Sequence, residues 1–383
     1  MQVYLDNAAT TKLDKRVLKK MEPYYFTRYG NASSIHFMGQ ENDLEIAACK
    51  EKIGKILGAD PRGLIFTSCA TEANNMIIKG VMRANMDKGK HLIISAFEHL
   101  CVLNSALELK SEGFEVDYAP VDNEGLIRLD ELEKLIRPDT VLVSIMTVNN
   151  EIGVIQDLEA IVKLVHKNGA YFHTDAVQAI PHLKFNISQC GFDFFTISAH
   201  KFHGPQGVGL AYANPKIRMK PLIVGGGQED NRRSGTYNMA GIVGLTEALI
   251  LAYKERTKEL AKIKSLRDYF WKRLQKEIPE VSLNGSWKKR VSGNLNVMFD
   301  RIEGEAVLID LSLRGVCVST GSACSAQNLK TSSVIRALGI EEKYLNSNIR
   351  FSFGKYNTKR EADYALNCLK KTVARLRKFS PIC

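Results

Sequence analysis

From about residue 64 to residue 212, short apolar runs alternate with stretches of helical spacing. The runs predict strands over 64–67, 91–95, 115–118, 141–146, 171–174, 193–198 and 208–212. The spacing between them predicts helices over 72–85, 100–112, 129–136 and 158–168. Continuous apolar strands separated by helices indicate a mostly parallel sheet covered on both faces. A long stretch rich in Leu, Ala, Lys and Glu then predicts one helix over 239–276. Beyond it the pattern changes to strands over 293–299, 316–319 and 349–353, with helices over 305–314, 332–338 and 359–377. This is a smaller α+β unit. No internal repeat and no low-complexity linker interrupts the chain. We expect an α/β fold with a large domain at 13–256 and a small C-terminal domain at 257–383, against which residues 1–12 pack.

The length of 383 residues allows two such units, and 45% hydrophobic with 25% charged residues is ordinary for a globular enzyme. No apolar run reaches the roughly 18 residues that span a bilayer. The segment Met1-Gln2-Val3-Tyr4-Leu5 has neither the secretory nor the transit-peptide layout, so a cytoplasmic location is expected. The net charge of +11 is spread along Lys-rich helices. It reads as solvated faces, with no nucleic-acid motif and no membrane segment. Eight cysteines are scattered without a CxxC pair, which excludes a zinc knuckle and predicts no intrinsic metal site. Most are expected to be buried small apolar residues.

In an open α/β sheet, functional side chains gather at strand carboxyl ends. Lys201 lies there, in Ser198-Ala199-His200-Lys201-Phe202-His203-Gly204-Pro205. A lysine among hydroxyl and imidazole groups suits a Schiff base with a carbonyl cofactor. Ser198 and His200 can donate to a phosphate. Asp175, ending another strand, can hold a proton on a pyridine nitrogen and so keep the ring an electron sink. These features suit pyridoxal phosphate. Thr71 in Cys69-Ala70-Thr71-Glu72 opens a helix and reads as an N-cap or an anion site. Gly225-Gly226-Gly227, followed by Arg233-Ser234-Gly235-Thr236, reads as a hinge or a second phosphate contact. Cys324 lies among small polar residues, Gly321-Ser322-Ala323-Cys324-Ser325, whereas Cys317 lies in the apolar Gly315-Val316-Cys317-Val318 and is expected to be packed. Arg350, flanked by apolar residues in a strand, needs a carboxylate partner. That partner is either an internal Asp or Glu, or the α-carboxylate of a substrate.

Together these segments resemble the NifS/IscS-type cysteine desulfurases, class-V aminotransferases of pyridoxal phosphate fold type I. The resemblance runs nearly end to end. It includes Tyr4-Leu5-Asp6-Asn7-Ala8-Ala9-Thr10-Thr11, Asn149-Asn150-Glu151-Ile152-Gly153, His173-Thr174-Asp175-Ala176-Val177-Gln178 and the Lys201 segment. Gly321-Ser322-Ala323-Cys324 followed by Val334-Ile335-Arg336-Ala337-Leu338-Gly339 is similar to the long-loop subgroup. The resemblance implies that Lys201 binds the cofactor covalently and shuttles protons, that Asp175 holds the ring nitrogen and Gln178 the ring hydroxyl, and that His99 stacks on the ring and assists proton transfer. Ala70, Thr71, Ser198 and His200 would hold the phosphate, and Thr236 would reach the phosphate of the partner in a homodimer. Asn150 and Arg350 would bind L-cysteine. Cys324 would take its sulfur as a persulfide for an iron–sulfur scaffold or a tRNA-thiolation protein, and would transiently ligate a cluster on such a scaffold. An aminotransferase or selenocysteine lyase on the same fold is the nearest rival. The chain departs from the family at Leu100, at Glu229-Asp230-Asn231 and at Lys330-Thr331-Ser332, where a polar residue, Glu-Arg-Gly and an early Pro are common.

Overall fold

A computed structural model describes residues 1–321 and 331–379. The chain begins with β1 (Val3–Tyr4), α1 (Lys15–Met21), α2 (Pro23–Phe26) and α3 (Phe37–Leu57). It then alternates through β2 (Leu64–Thr67), α4 (Ala70–Ala84), β3 (His91–Ser95), α5 (Leu100–Ser111), β4 (Glu115–Ala119), α6 (Leu129–Leu135), β5 (Thr140–Ser144), α7 (Leu158–Lys167), β6 (Tyr171–Asp175), α8 (Ile187–Cys190), β7 (Phe194–Ser198) and β8 (Gly209–Ala213). Strands β2 to β8 form one sheet in the order β2-β8-β7-β6-β5-β3-β4. The pairs from β7 through to β4 are parallel, and β8 runs antiparallel to both its neighbours.

Alternate residues of these strands enter two different cores, as the pleat requires. Leu64 and Phe66 face a core completed by Ile53 and Leu57 of α3 and Val162 and Val165 of α7. Ile65, between them, faces a second core with Met76 and Ile77 of α4 and Val102 and Ala106 of α5. With both faces covered, the inner strands have no exposed polar side; the edge strand β4, with Glu115 and Tyr118 exposed, is the exception. That is why the inner strands read as unbroken apolar runs.

Helix α9 (Met239–Glu277) has 39 residues, about 59 Å at 1.5 Å per residue. Its Ile242, Leu245 and Leu249 join the first core. Its Ile263, Leu266, Phe270 and Leu274 join a third core that also takes Val3 and Leu5. That core is built on β9 (Val281–Leu283), β10 (Asn294–Phe299), α10 (Gly304–Leu313), β11 (Val316–Cys317), β12 (Asn348–Ser352) and α12 (Lys359–Leu376), whereas Val334 and Ile335 of α11 (Ser333–Ala337) join the first core. Strands β12, β10 and β9 form an antiparallel sheet, and β1 pairs in parallel with β11. Among the described residues no helix is long and apolar enough to cross a membrane.

One expectation is corrected here. Cys317 is exposed, not packed. In the two-residue strand β11, Val316 turns into the core and Cys317 turns away from it. The apolar neighbours concealed a strand alternation.

Candidate active site

The carboxyl ends of β5, β6 and β7 and the start of α4 open onto a cavity of about 640 Å³. Ala70, Thr71, His99, Asn150, Asp175, Gln178, Ser198, His200, Lys201 and Arg350 all line it. Thr236 is exposed and lies outside this lining. Cys324 lies outside the described residues, but Gly321, Thr331 and Ser332, on either side of its segment, face the cavity.

One end of the cavity is built for an anion. Helix α4 starts at Ala70, and its N-cap, Cys69, provides no side-chain cap. First-turn N–H groups and the helix dipole therefore face outward. Ser198 Oγ is buried nearby with no hydrogen-bond partner among the described residues. Gly209 lets β8 pass close: a Cβ there would lie 2.7 Å from the Cys69 carbonyl carbon. Burial, and then the Lys201 charge, push the His200 pKa down to about 4, so its ring is neutral near pH 7.

The other end holds an oriented carboxylate. Asp175 Oδ1 accepts from the Val177 N–H at 2.9 Å, and Oδ2 accepts from Asn74 Nδ2 at 2.7 Å. Asn74 is itself held by Thr196 Oγ, which donates to Asn74 Oδ1 at 2.6 Å. His99 is the N-cap of α5, and its Nδ1 accepts from the Cys101 N–H at 3.2 Å. The Cys101 thiol lies 3.0 Å from the same nitrogen. Burial, and then Asp175, push that thiol up to about 12, so it is neutral. Two donors on Nδ1 leave the ring proton on Nε2, which fixes the tautomer. Burial also lowers the His99 pKa, against the Asp175 charge.

Lys201 ends a short 3-10 turn after β7. Its Nζ donates to the carbonyls of Ala8 and Ala9 at 2.8 and 2.7 Å, and Gln178 Nε2 donates to the Ala8 carbonyl at 2.9 Å. The N-terminal turn thus reaches over the sheet to the Lys201 amine. Arg350 is buried, and its partner here is an internal carboxylate, Asp6, at 2.8 Å. Arg233, the cation of the glycine loop, pairs instead with Glu72 in the first turn of α4, at 2.7 Å.

Asn74, Thr196, Glu98 and Glu151 carry no role in the sequence reading. Glu98 Oε1 accepts from Ser95 Oγ and from the Met146 N–H, while Oε2 is buried without a partner among the described residues. Burial, and then Asp175, push its pKa up to about 8, so it carries a proton at neutral pH. Glu151 Oε2 accepts from Ser332 Oγ at 2.6 Å. The one signal for Asn74 is a polar residue three positions after Thr71, on the buried face of α4.

An uncapped helix N-terminus with an orphan hydroxyl, a carboxylate fixed at both oxygens, and a lysine between them fit a phosphate-bearing pyridine ring. The aminotransferase class-V family model matches residues 3–365. A cysteine desulfurase IscS of Dictyoglomus turgidum is 46% identical over 380 residues, covering 99% of this chain and 96% of that protein. A probable mitochondrial cysteine desulfurase of Dictyostelium discoideum is 43% identical, over 99% of this chain and 85% of its own length. Among solved structures, a NifS-like protein superposes with a TM-score of 0.92 at 38% identity, covering 98% of this chain and 100% of its own. SspA in complex with cysteine superposes with a TM-score of 0.82 at 33% identity, over 93% and 100% of the two chains. The chain belongs to the class-V aminotransferases, in their cysteine desulfurase family.

Proposed function

We propose that this protein converts L-cysteine to L-alanine and leaves the sulfur as a persulfide on Cys324. The supporting observation is the convergence, in one cavity, of Lys201, Asp175 and an open helix N-terminus, in a chain of this family. The cofactor is pyridoxal phosphate, which when bound supplies a carbonyl for imine exchange and a ring that takes up an electron pair. The first turn of α4, Ser198 and His200 hold its phosphate. Asp175, oriented by Asn74, keeps a proton on the ring nitrogen. His99, with its proton on Nε2, would contact the bound cofactor, and Lys201 would be the group that moves protons. Arg350 and Asn150 hold the substrate. The Cys324 thiolate attacks the substrate sulfur; an S–S bond forms and the Cβ–S bond breaks. The carbon then takes a proton to become the methyl group of L-alanine. Equimolar L-alanine and enzyme persulfide from a single turnover, without reductant, test this reading. Keto-acid formation would favour an aminotransferase instead.

The functional units are 13–256, which carries Lys201 and Asp175, and 257–383 together with residues 1–12, which brings Arg350 and Cys324. The acceptor is an iron–sulfur scaffold or a tRNA-thiolation protein, on which Cys324 ligates a cluster transiently, and the reaction takes place in the cytoplasm.

The working assembly is a homodimer. Thr236 is exposed in the single chain, and Phe26, Tyr29, Ile35 and Phe37 expose large apolar surfaces, Ile35 at 93%. A patch of this kind supports a covering partner. Gln228 Nε2 donates to Ser33 Oγ at 3.5 Å, which links the loop before Thr236 to that patch. If Thr236 completes the partner's phosphate site, occupancy follows assembly. Sedimentation over a dilution series is expected to show pyridoxal phosphate lost as monomer appears. Full occupancy in a clean monomer contradicts the assignment.

A further inference from the structure

Arg350 lies mid-strand in β12 with a side chain only 3% exposed. A buried guanidinium is rarely left without a counter-charge. Asp6 supplies one, accepting from Nη2 at 2.8 Å, and the Asn150 carbonyl accepts from Nη1 at 2.8 Å. Of the three N–H groups left, the one on Nε is buried and has no acceptor among the described residues. Asn150 Oδ1 is buried without a donor among the described residues, and both residues line the same cavity. Buried polar atoms are nearly always paired, so two orphans facing one cavity point to a polar ligand there.

The two members of the ion pair are not equally fixed. The Arg350 backbone exchanges two hydrogen bonds with Ser319, at 2.6 and 3.2 Å. Its neighbours in β12 are paired along β10. Asp6 is held through its main chain, beside Ser352, and its side chain is 16% exposed. The carboxylate is the part-exposed member of the pair, and the guanidinium is the buried one.

We propose that Asp6 is a displaceable counter-ion. It occupies Arg350 between turnovers, and the α-carboxylate of the amino acid takes its place. This rests on the reading above that Arg350 binds the substrate carboxylate. Asp6 then acts through Arg350 as a positioning residue that sets how tightly amino acids are held. One carboxylate leaves the guanidinium as another arrives, so the buried charge stays balanced at every stage. The same exchange in reverse helps L-alanine to leave. Asp6 also heads the turn whose Ala8 and Ala9 carbonyls hold Lys201, since the Ala9 N–H donates to the Asp6 carbonyl at 3.0 Å.

The test uses the holoenzyme and the variants Asp6→Asn, Asp6→Glu and Arg350→Gln. In Asp6→Asn the internal competitor is gone. KM for L-cysteine is expected to fall about fivefold or more, and L-alanine to inhibit more tightly by a similar factor, with kcat changed less. Its melting temperature should drop in carboxylate-free buffer and recover on adding L-alanine by more than that of the unaltered enzyme. Asp6→Glu should restore values close to those of the unaltered enzyme. A KM in Asp6→Asn that rises or stays unchanged, while Arg350→Gln raises it strongly, overturns the proposal and makes Asp6 a fixed support for Arg350. An unchanged KM in Arg350→Gln removes the carboxylate reading of Arg350, and the proposal with it. One arm needs no variant. In crystals of the unaltered holoenzyme soaked with L-alanine, Asp6 is expected to have left Nη2, and an intact Asp6–Arg350 pair beside the bound amino acid overturns the proposal.

Discussion

Replacing Lys201 with alanine is expected to abolish turnover of L-cysteine, by at least about 10³-fold. Two functions are lost together. The amine can no longer exchange with the cofactor carbonyl, and the cavity loses the group that moves protons to and from the substrate. No neighbour is placed to substitute. His99 has its Nδ1 committed to the α5 N-terminus and carries its proton on Nε2. His200 is neutral and bonded through Nδ1 to Thr10 Oγ at 3.1 Å. Lys201→Arg serves as the control for charge, since a guanidinium keeps the contact to the Ala8 and Ala9 carbonyls but does not form imines. Both variants should lack the near-visible absorption band of a lysine-bound cofactor, and borohydride should fix no label. Near-normal L-alanine release from Lys201→Ala would sink the assignment of the reactive amine.

Much of the fold is legible in the sequence because the central strands are buried on both faces. β2 and β3 follow the apolar runs residue for residue, and β4 to β8 agree within one or two positions. Strand direction is another matter. Nothing in an apolar run says that β8 turns back against β7 and β2, because a buried strand has the same period in either sense. Helix α3 gives almost no sequence signal. Its core stripe is narrow (Ile46, Cys49, Ile53 and Leu57), and Gly39 and Gly54 dilute the helical signal around it. Gly54 is there for packing: a Cβ would lie 2.8 Å from the Ala59 carbonyl oxygen. The edge strand β9 has only three residues, the half-buried Val281 and Leu283 on either side of the exposed Ser282, too short a pattern to read. In the site, side chains with reactive chemistry at strand ends stand out. Asn74, Thr196, Glu98 and Glu151 do not, because what matters about them is burial beside a particular partner, and the tertiary fold decides that. Arg350 lay between two readings in the sequence. The structure supplies the internal carboxylate without removing the case for the external one.

Cys324→Ser is expected to bind pyridoxal phosphate and L-cysteine yet release no sulfide under reducing conditions and carry no persulfide. A serine hydroxyl keeps the shape but is barely ionised near neutral pH, whereas a thiolate is a soft nucleophile that attacks sulfur. The described residues on either side of its segment support this role: Gly321 and Ser332 face the cavity, and Ser332 is tied to the buried Glu151. The rival thiols divide on physical grounds. Cys101 lines the same cavity, but burial holds it neutral at any ordinary pH. Cys49 is likewise buried with a raised pKa, and Cys368 is buried. Cys69 lines the cavity at the N-cap of α4, where the anion site needs its backbone more than its sulfur. Cys317 is the exposed thiol of the described set, so it is the one most open to adventitious oxidation and to sulfur scrambling. Cys317→Ser should therefore leave both stability and persulfide formation intact, because its side chain packs into no core. The sulfur is located by mass spectrometry of tryptic peptides after L-cysteine treatment without reductant, at times short enough to precede exchange between thiols. Extra sulfur first on Cys324, absent in Cys324→Ser and unaffected in Cys317→Ser, is the expected outcome. Early sulfur on Cys69 or Cys317, with Cys324→Ser still producing L-alanine and sulfide, would move the nucleophile to another part of the fold.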